Sequence, residues 1–342
     1  MTTIAPQGAF QRPSRRQALK ILGAAAGVPL VIGATAKLAP QPQFHSWSGT
    51  TMGAEASLSL WHGNRGFAQR TIARMLSEVA RLENVFSLFR PGSELSRLNR
   101  DGVLATVSRD LVVVLDAAAS ASIASAGAFD VTVQALWQVY ERHFARPGAD
   151  PAGPPGTEIA AALRLVDYTS VDTGPTGVRL GRAGSAVTLN GIAQGYITDR
   201  VADLLRNEGF DHVLVELGET RVLGNQPDGQ PWMAGIRDRF GGVANTLPLS
   251  NQALSVSGGY ATTFEPTGRN HHIFDPDTGR SADGLITVAV RAPRAMTADA
   301  LSTAILVSGE ANAPGLLETY PGASATILRS DGSLWTSQPT PA

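Results

Sequence analysis

The segment Thr188-Leu-Asn-Gly-Ile-Ala-Gln-Gly-Tyr196 joins a strand-like run to the start of a helix, and it decides how the second half of the chain folds. Val178–Leu189 before it has the pattern of strand, turn and strand. Ile192–Asn207 repeats apolar residues at helical spacing and predicts an amphipathic helix. Val213–Leu217 then predicts a further strand, so that Ser185–Gly218 forms a β–loop–α–β unit.

Two glycines in this segment predict a place where the backbone approaches another group closely. Gly191 and Gly195 flank the expected helix start, and the N–H groups of a helix N-terminus favour an anionic group such as a phosphate. Tight packing would account for the glycines equally well, because the segment has neither the Gly-rich dinucleotide motif nor a Walker A sequence. The segment alone therefore leaves phosphate binding and ordinary packing both open.

The rest of the chain predicts strands and helices that mix without regular alternation. The alternating residues from Phe44 to Leu60 predict either a strand pair or a strand followed by a bend, and an apolar stripe predicts a helix over about Ala68–Phe86. Ser108 is the predicted N-cap of another helix, which ends before Gly127. Further strands are predicted at 232–237, 246–256 and 285–291, and a short helix at about Thr297–Ser308. We expect an α/β to α+β fold with helices packed on a mixed sheet.

The composition excludes several classes of protein. Of the 342 residues, 43% are hydrophobic and 17% are charged, which is the balance of a chain that buries a core. The formal net charge is −1 and the basic residues are spread along the chain, so we expect no nucleic-acid partner. Lys20 and Lys37 are the only lysines, which excludes a P-loop lysine. The chain has no cysteine, so a lipoprotein anchor is excluded and a hard, oxygen-ligated cation is the expected kind of metal.

The N-terminus indicates the compartment. Ser14-Arg-Arg-Gln-Ala-Leu-Lys20 precedes an apolar run that ends in the small-residue motif Ala34-Thr-Ala36. This order is typical of a twin-arginine signal peptide, and it predicts export of a folded protein to the periplasm. The apolar run is short for a membrane span, which needs about 20 residues, so an uncleaved inner-membrane anchor is the less favoured alternative.

Cleavage after this motif divides the chain into two parts. Residues 1–36 would be the signal peptide, and residues 37–342 would form one functional domain. The clearest loop lies at 146–158, where prolines alternate with Gly and Ala. This loop is either a surface excursion or a link between two subdomains.

Two other segments place candidate functional residues together. His271-His-Ile-Phe-Asp-Pro-Asp-Thr-Gly279 contains two imidazoles, but neighbouring residues in a strand point to opposite faces, so at most one histidine serves a given site. A polar turn with a satisfied histidine is the alternative interpretation. Asp299, Ser302 and Thr303 share one face of the predicted helix and can offer a carboxylate and hydroxyls to a hard cation. A capped helix start would produce the same pattern.

Taken in order along the chain, these segments resemble the ApbE family of FAD:protein FMN transferases. The matching blocks cover about residues 44–330 and occur in the family's order: Thr51-Met-Gly53, Phe86-Ser-Leu-Phe-Arg-Pro-Gly-Ser-Glu-Leu-Ser-Arg-Leu-Asn99, Gly127-Ala-Phe-Asp-Val-Thr-Val133, Asn190-Gly-Ile-Ala-Gln-Gly-Tyr196 with Asp199, Ser255-Val-Ser-Gly-Gly-Tyr260, His272-Ile-Phe-Asp-Pro-Asp-Thr-Gly279 and Ala298-Asp-Ala-Leu-Ser-Thr303. Six or more blocks in one order are far more specific than any single block.

The resemblance implies a fold and an activity. It implies the family's T-fold-like architecture, with helices packed on a sheet. The protein would bind FAD as substrate together with Mg²⁺, transfer FMN onto a Thr or Ser hydroxyl through a phosphoester bond, and release AMP. The acceptor would be a flavoprotein subunit of a membrane-bound electron-transfer complex on the exported side, which agrees with the predicted signal peptide.

The resemblance also implies the residues of the site. The FAD site would be formed by Met52, Phe89, Ala128, Phe129, Asp130, Thr188, Gln194 and Phe274. The metal would be held by Asp299, Ser302 and Thr303, with a backbone carbonyl near Gly191. His272 would act as general base or as a partner of the transition state.

Several positions depart from the family pattern. Many members have an acidic residue at Thr188, a Lys at Gln194 and an Asp at Ser302, and the usual Gly-Gly pair appears here as Gly218-Glu219. These changes suggest a subgroup, and the exported branch associated with denitrification, which serves the flavin-bearing regulator of nitrous oxide reduction, is one candidate. They also motivate two alternatives, a periplasmic flavin-binding protein without transfer activity and an FAD pyrophosphatase in which water replaces the acceptor.

Overall fold

The computed structural model describes residues 43–337, apart from Met52 and residues 238–241. The helices are α1 (Arg65–Phe86), α2 (Glu94–Asp101), α3 (Arg109–Ala124), α4 (Gln134–Phe144), α5 (Gly156–Leu163), α6 (Ala193–Asn207), α7 (Ala295–Ser308) and α8 (Ala313–Glu318). The strands are β1 (Gln43–Thr51), β2 (Ala54–His62), β3 (Val103–Leu104), β4 (Val171–Gly174), β5 (Gly177–Leu180), β6 (Val213–Glu216), β7 (Thr220–Leu223), β8 (Trp232–Arg237), β9 (Val243–Leu249), β10 (Ala253–Ser257), β11 (Leu285–Ala292), β12 (Ser324–Arg329) and β13 (Leu334–Thr336).

A sheet of eight strands forms the centre of the fold, in the order β1-β2-β6-β7-β10-β11-β12-β13. A three-stranded sheet, β3-β5-β4, and the hairpin β8–β9 lie outside it. The strand pairs within the described residues are all antiparallel, where the sequence analysis expected a mixed sheet. The predicted class is confirmed as α+β, with helices packed on an antiparallel sheet.

Both faces of the central strands are buried. Val213 and Val215 of β6 belong to the large core that the helices cover. Leu214 between them belongs to a second core, together with Trp232 and Ile236 of the hairpin β8–β9. Because successive side chains of a strand point to opposite faces, a strand covered on both sides is apolar at every position. The hairpin is therefore the reason why the first three residues of β6, Val213, Leu214 and Val215, are all apolar.

Predicted helix starts are confirmed by their caps. The side chain of Asn64 accepts a hydrogen bond from the N–H of Phe67 at 2.9 Å, so α1 begins one turn before the predicted Ala68. Ser108 accepts from the N–H of Leu111 at 3.2 Å and caps α3 as predicted. Such caps satisfy N–H groups that have no partner inside the helix.

The predicted β–loop–α–β unit lacks its first strand. The segment after β5, residues 185–189, is extended but pairs with no strand. The side chain of Asn99 instead accepts from the N–H of Val187 at 2.7 Å and donates to its carbonyl at 2.8 Å. An amide side chain thus satisfies the backbone groups that a neighbouring strand would otherwise use, and the prediction of a second strand in Val178–Leu189 is wrong for this reason.

Two further element boundaries differ from the prediction. The expected strand at 246–256 consists of β9 and β10, which are separated by a turn in which Asn251 adopts a φ of 51°. The expected loop at 146–158 ends earlier, because Gly156 already begins α5. Helices α4 and α5 pack around Leu136, Tyr140 and Ile159 in an apolar cluster of their own. A division into two subdomains stays a prediction.

The N-terminal predictions fall outside the described residues. Residues 1–36, the predicted signal peptide, belong to the part of the chain that the structure does not describe. Among the described helices, none has the combination of length and apolar character that crossing a bilayer requires.

Candidate active site

An open cleft lies beside the first turns of α6 and α7, and its empty volume, including the part open to solvent, is about 990 Å³. It brings together most of the site residues implied by the resemblance: Ala128, Phe129, Asp130, Thr188, Gly191, Gln194, His272, Phe274, Asp299 and Thr303. Residues not singled out as site residues from the sequence also line it, among them Trp137, Glu219, Val256 and Ser257. The cleft is therefore formed by segments that are far apart in the sequence.

Two implied residues do not line the cleft, and a third lies outside the described residues. The side chain of Phe89 is 45% exposed and lies away from the cleft lining. Ser302 is fully buried behind the lining residues. Met52 lies outside the described residues.

Asp299 is fixed at the junction of α6 and α7. Its Oδ2 accepts a hydrogen bond from the backbone N–H of Gly195 at 3.0 Å, and its side chain is buried. Burial raises the pKa of Asp299 to about 8, the N–H of Gly195 opposes this shift, and the negative charge of Asp199 adds to it. A carboxylate in this environment gains strongly from a positive charge placed beside it.

Asp199 holds the start of α7, the helix that includes Asp299. Its two carboxylate oxygens accept from the backbone N–H groups of Ala295 at 2.9 Å and Met296 at 3.0 Å. The same carboxylate pairs with the buried guanidinium of Arg221 at 3.3 Å and with Arg294 at 3.2 Å. A negative group at a helix N-terminus is stabilised by the unpaired N–H groups there, so Asp199 positions α7 without touching the cleft.

A group of hydroxyls surrounds the second turn of α7. The Oγ of Ser302 lies 3.0 Å from that of Ser255 and 2.7 Å from that of Ser257, and it donates to the carbonyl of Asp299 at 3.0 Å. The hydroxyl of Ser302 is therefore shared among three neighbouring protein groups. Ser257 also lies 3.3 Å from Thr303. Ser302 therefore supports Ser257 and Thr303 from behind, whereas those two residues line the cleft.

Position 191 requires a glycine because the side chain of Thr303 approaches its backbone closely. A Cβ on Gly191 would lie 3.0 Å from the Oγ1 of Thr303 and 3.2 Å from the ring of Phe129. The sequence left tight packing and phosphate binding both open for this glycine, and the structure shows tight packing on the wall of the cleft.

Glu219 is a buried acid that was not predicted as a site residue. It lies between β6 and β7, is 6% exposed, and lines the cleft. Its Oε2 is buried and has no hydrogen-bond partner. Burial raises the pKa of Glu219 well above its ordinary value, the charge of Asp299 raises it further, and the hydroxyl of Ser255 opposes the shift. The departure from the family's Gly-Gly pair was the available signal.

His272 presents a neutral imidazole to the cleft. Its Nδ1 lies 3.1 Å from the carbonyl oxygen of Thr262. Since a carbonyl only accepts, Nδ1 bears the proton and Nε2 is left with its lone pair. Burial lowers the pKa of His272 to about 4, and the neighbouring His271 lowers it further. The side chain is therefore unprotonated at neutral pH and can accept a proton.

The two adjacent histidines serve different purposes, as their alternation predicted. The ring of His271 is buried, and its Nε2 lies 2.8 Å from the carbonyl of Ala282. Its backbone N–H donates to the hydroxyl of Ser281 at 2.8 Å. His271 does not line the cleft, so one imidazole supports the loop and the other faces the site.

Asp130 organises a loop in the wall of the cleft. Its Oδ1 accepts from the N–H and the hydroxyl of Thr132 at 2.7 and 2.6 Å, and its Oδ2 accepts from the N–H of Tyr168 at 2.9 Å. Burial nevertheless raises the pKa of Asp130 above its ordinary value. Aromatic side chains of Phe129, Trp137 and Phe274 line the cleft near it and give this wall a surface suited to a flat ring system.

The charges around the cleft favour a cation. The described residues that line the cleft include neither Lys nor Arg, but they include the acidic residues Asp299 and Glu219. Over residues 43–337, outside the gaps at 52 and 238–241, no three His, Cys, Asp or Glu side chains cluster so as to hold a metal by themselves. Carboxylate, hydroxyl and carbonyl oxygens of Asp299, Thr303 and Gly191 are the donors that a hard cation prefers, so the residues present fit Mg²⁺ with further oxygens from a ligand.

Comparison with known proteins identifies a family and relatives to which this chain is similar. The family model described as "ApbE family" matches residues 52–327. A Treponema pallidum protein named FAD:protein FMN transferase is 33% identical over 276 residues, which cover 73% of this chain and 74% of that protein. A Vibrio cholerae protein of the same name is 30% identical over 307 residues, which cover 85% of this chain and 89% of that protein.

Solved structures show the same fold. The ApbE protein from Thermotoga maritima superposes with a TM-score of 0.75 at 28% identity, covering 86% of this chain and 97% of that one. The flavin transferase ApbE from Vibrio cholerae superposes with a TM-score of 0.74 at 25% identity, covering 87% of this chain and 98% of that one. With the family model, the aligned relatives and the shared fold all in agreement, we conclude that the chain belongs to the ApbE family.

Proposed function

We propose that the protein transfers FMN from FAD onto a Thr or Ser hydroxyl of a partner flavoprotein and releases AMP. The hydroxyl oxygen would form a bond to the phosphorus of the FMN half, and the bond from that phosphorus to the oxygen of AMP would break. The observation that supports this most directly is that a neutral imidazole, His272, and a buried carboxylate, Asp299, line one cleft. The relatives' name, FAD:protein FMN transferase, describes transfer of FMN from FAD to a protein.

His272 is suited to take the proton from the acceptor hydroxyl. Its Nδ1–H is held by the carbonyl of Thr262, which leaves Nε2 as the basic atom. A base that is unprotonated at neutral pH needs no prior loss of a proton before it can act. The lowered pKa of His272 thus keeps the imidazole in the form that the transfer requires.

The FAD pyrophosphate would lie beside the cation-binding residues. Asp299, Thr303 and the carbonyl of Gly191 would hold Mg²⁺, and Mg²⁺ neutralises charge that develops on phosphate oxygens. Since no lysine or arginine is among the described lining residues, protein side chains supply no equivalent positive charge at this wall. Mg²⁺ dependence is therefore part of the proposal.

The isoalloxazine ring would lie against the aromatic wall formed by Phe129, Trp137 and Phe274. Thr188 and Gln194 line the same cleft, so flavin contacts here would be made by neutral side chains where many family members have an acid and a lysine. These contacts would lower the dependence of FAD binding on salt, since neutral hydrogen bonds are screened less than ion pairs.

The proposal is tested by flavin transfer in vitro. The chain from Lys37 onward is incubated with FAD, Mg²⁺ and a candidate flavoprotein subunit from the same genome, and the denatured acceptor is examined for in-gel flavin fluorescence. We expect a fluorescent band that disappears with EDTA and with Asp299→Ala. The same reaction run with a Thr→Ala acceptor should give no band.

Product analysis separates the proposal from its alternatives. AMP together with protein-bound FMN supports the transferase. AMP together with free FMN would instead show an FAD pyrophosphatase, in which water takes the place of the hydroxyl. Intact FAD that stays tightly bound, with acceptors of other family members also unmodified, would show a flavin-binding protein.

The proposed location follows from residues 1–36. Their twin-arginine motif, apolar run and small-residue motif support export of the folded protein to the periplasm. The acceptor would then be the periplasmic flavoprotein subunit of a membrane electron-transfer complex, and the denitrification-associated branch is one candidate. Replacement of Arg15 and Arg16 by Lys should retain the full-length protein in the cytoplasm, and N-terminal sequencing of the exported form should begin at Lys37.

A further inference from the structure

The cleft contains a second buried carboxylate, Glu219, to which the proposed reaction assigns no role. Glu219 lies at the turn between β6 and β7, lines the cleft together with Asp299 and Thr303, and is 6% exposed. One of its oxygens, Oε2, has no hydrogen-bond partner. A buried charged oxygen without a partner is costly, and such groups are satisfied by hydrogen bonds, opposite charges or metal ions.

No side chain at the cleft wall can satisfy Glu219 by charge. The described lining residues include neither Lys nor Arg. The nearest guanidinium in the sequence, that of Arg221, is directed to Asp199 and to the carbonyl of Pro293. The charged group that acts most strongly on Glu219 is Asp299, which has the same sign. Two carboxylates facing each other in a buried site are stabilised together when a cation lies between them.

The hydroxyls around Ser302 strengthen this interpretation. Ser302 stands in the metal-binding motif, but its hydroxyl is used by Ser255, Ser257 and the carbonyl of Asp299. The hydroxyl of Ser302 is thus already bonded to three protein groups, and Ser302 does not line the cleft. Glu219, by contrast, lines the cleft and has an oxygen without a hydrogen-bond partner.

We propose that Glu219 supplies a second carboxylate to the divalent cation held by Asp299 and Thr303. This inference rests on the proposed function, because the cation is the one used in flavin transfer. The carboxylate comes from the turn before β7 and not from α7, so the negative charge of the cation site is divided between two distant segments of the chain. In this arrangement the cation joins the β6–β7 turn to the start of α7.

Metal binding measured without FAD and without turnover tests the inference. Mn²⁺ is the probe, its affinity is measured by electron paramagnetic resonance, and Mg²⁺ is added as competitor. We expect Glu219→Gln, which keeps the shape of the side chain and removes its charge, to weaken Mn²⁺ binding at least tenfold. Mg²⁺ should also raise the Tm of the wild type by more than it raises that of Glu219→Gln.

Glu216 provides the matched control. It is a carboxylate at the end of β6, three residues before Glu219, but its Oε2 accepts from the hydroxyl of Ser57 at 2.6 Å and it does not line the cleft. Glu216→Gln should bind Mn²⁺ with wild-type affinity. If Glu219→Gln fails to fold, Glu219→Asp is measured instead, and it should bind Mn²⁺ more weakly than the wild type because its carboxylate is withdrawn by one methylene.

The outcomes separate this inference from the proposed function. Wild-type Mn²⁺ affinity in Glu219→Gln, or in Glu219→Asp where that variant replaces it, overturns the role of Glu219. If the wild type still transfers flavin in that case, the proposed function stands. Absence of Mn²⁺ binding by the wild type overturns the inference as well, whereas metal binding that depends on Glu219 without any flavin transfer supports the inference and overturns the proposed function.

Discussion

The backbone N–H of Gly195 donates to the carboxylate of Asp299 at 3.0 Å, across 104 residues of sequence. This contact joins the first turn of α6 to α7, and it places the carboxylate in the cleft that the family's relatives lead us to regard as the site of flavin transfer. The helices approach so closely at this point that the residue at 195 has no room for a side chain. A Cβ there would lie 2.4 Å from the carbonyl oxygen of Ala295.

Gly195→Ala should therefore destabilise the protein and disturb the site. We expect a loss of about 1–3 kcal/mol in the free energy of unfolding, because the added methyl group must push α7 away. Urea denaturation measures the loss, and Mn²⁺ affinity should fall with it. Gly315→Ala is the matched control, since Gly315 lies in α8 with nothing within 4 Å of the added Cβ, and it should be neutral or stabilising by up to about 1 kcal/mol.

Asp199→Ala should cost more stability than any exposed acid. The variant removes the cap of α7 and leaves the guanidinium of Arg221 buried without its partner. We expect a loss of about 3–5 kcal/mol in the free energy of unfolding, measured with urea. Asp203→Ala is the control, because Asp203 pairs with Arg294 near the surface and should cost less than about 1 kcal/mol. Equal losses in the two variants would contradict this account.

The free energy of unfolding of the metal-free protein should fall as the pH rises, because the buried Asp299 loses its proton. The pKa of this group is about 8 in the folded protein, against an ordinary value of 3.8, so between these values the folded state binds more protons than the unfolded state. Stability therefore decreases with pH across that window. Asp299→Asn removes the buried charge, so in EDTA its Tm should exceed that of the wild type by a larger margin at pH 8 than at pH 5. A constant margin would show that Asp299 does not titrate there.

His272 should have the opposite effect, because its contribution to the free energy of unfolding should rise with pH. Its pKa falls from 6.5 to about 4 on folding, so between these values the unfolded state binds more protons, and this contribution to stability rises with pH. His272→Gln should lack that rise over pH 4–6.5. The comparison is made in EDTA, with the wild type measured at the same pH values.

His272→Gln should also separate chemistry from binding. We expect a loss of about 10²–10⁴-fold in the rate of flavin transfer, since a positioned base contributes on this scale. FAD affinity should change by less than threefold, as measured by quenching of flavin fluorescence. The control is His271→Gln, which alters the buried contact with the carbonyl of Ala282. It should lower the Tm, but at a temperature where the variant is folded its transfer rate should stay near that of the wild type. A transfer rate near that of the wild type in His272→Gln would exclude this histidine as the base.

Much of the local structure could be predicted from neighbouring residues. The apolar stripe of α1, the cap at Ser108 and the helix that follows Ile192 are confirmed because helical spacing and caps depend on residues three or four positions apart. The structure likewise directs His271 and His272 to different partners, although this segment forms only isolated bridges at His271 and Phe274 and no strand. Residues 185–189 were assigned wrongly because their hydrogen-bond partner is a side chain on α2, Asn99, that no local pattern reveals.

The sequence by itself determined the family, the cap at Ser108 and ten of the residues that line the cleft, because each depends on motifs or on spacing along a short segment. Only the tertiary structure decided that the hydroxyl of Ser302 bonds to neighbouring protein groups, that Glu219 lies in the cleft with a free oxygen, and that the sheet is antiparallel. The physical reason is that hydrogen bonding and burial depend on groups brought together from distant segments. The charge of Asp299 acts on Glu219 only because the fold brings α7 and the β6–β7 turn to one cleft.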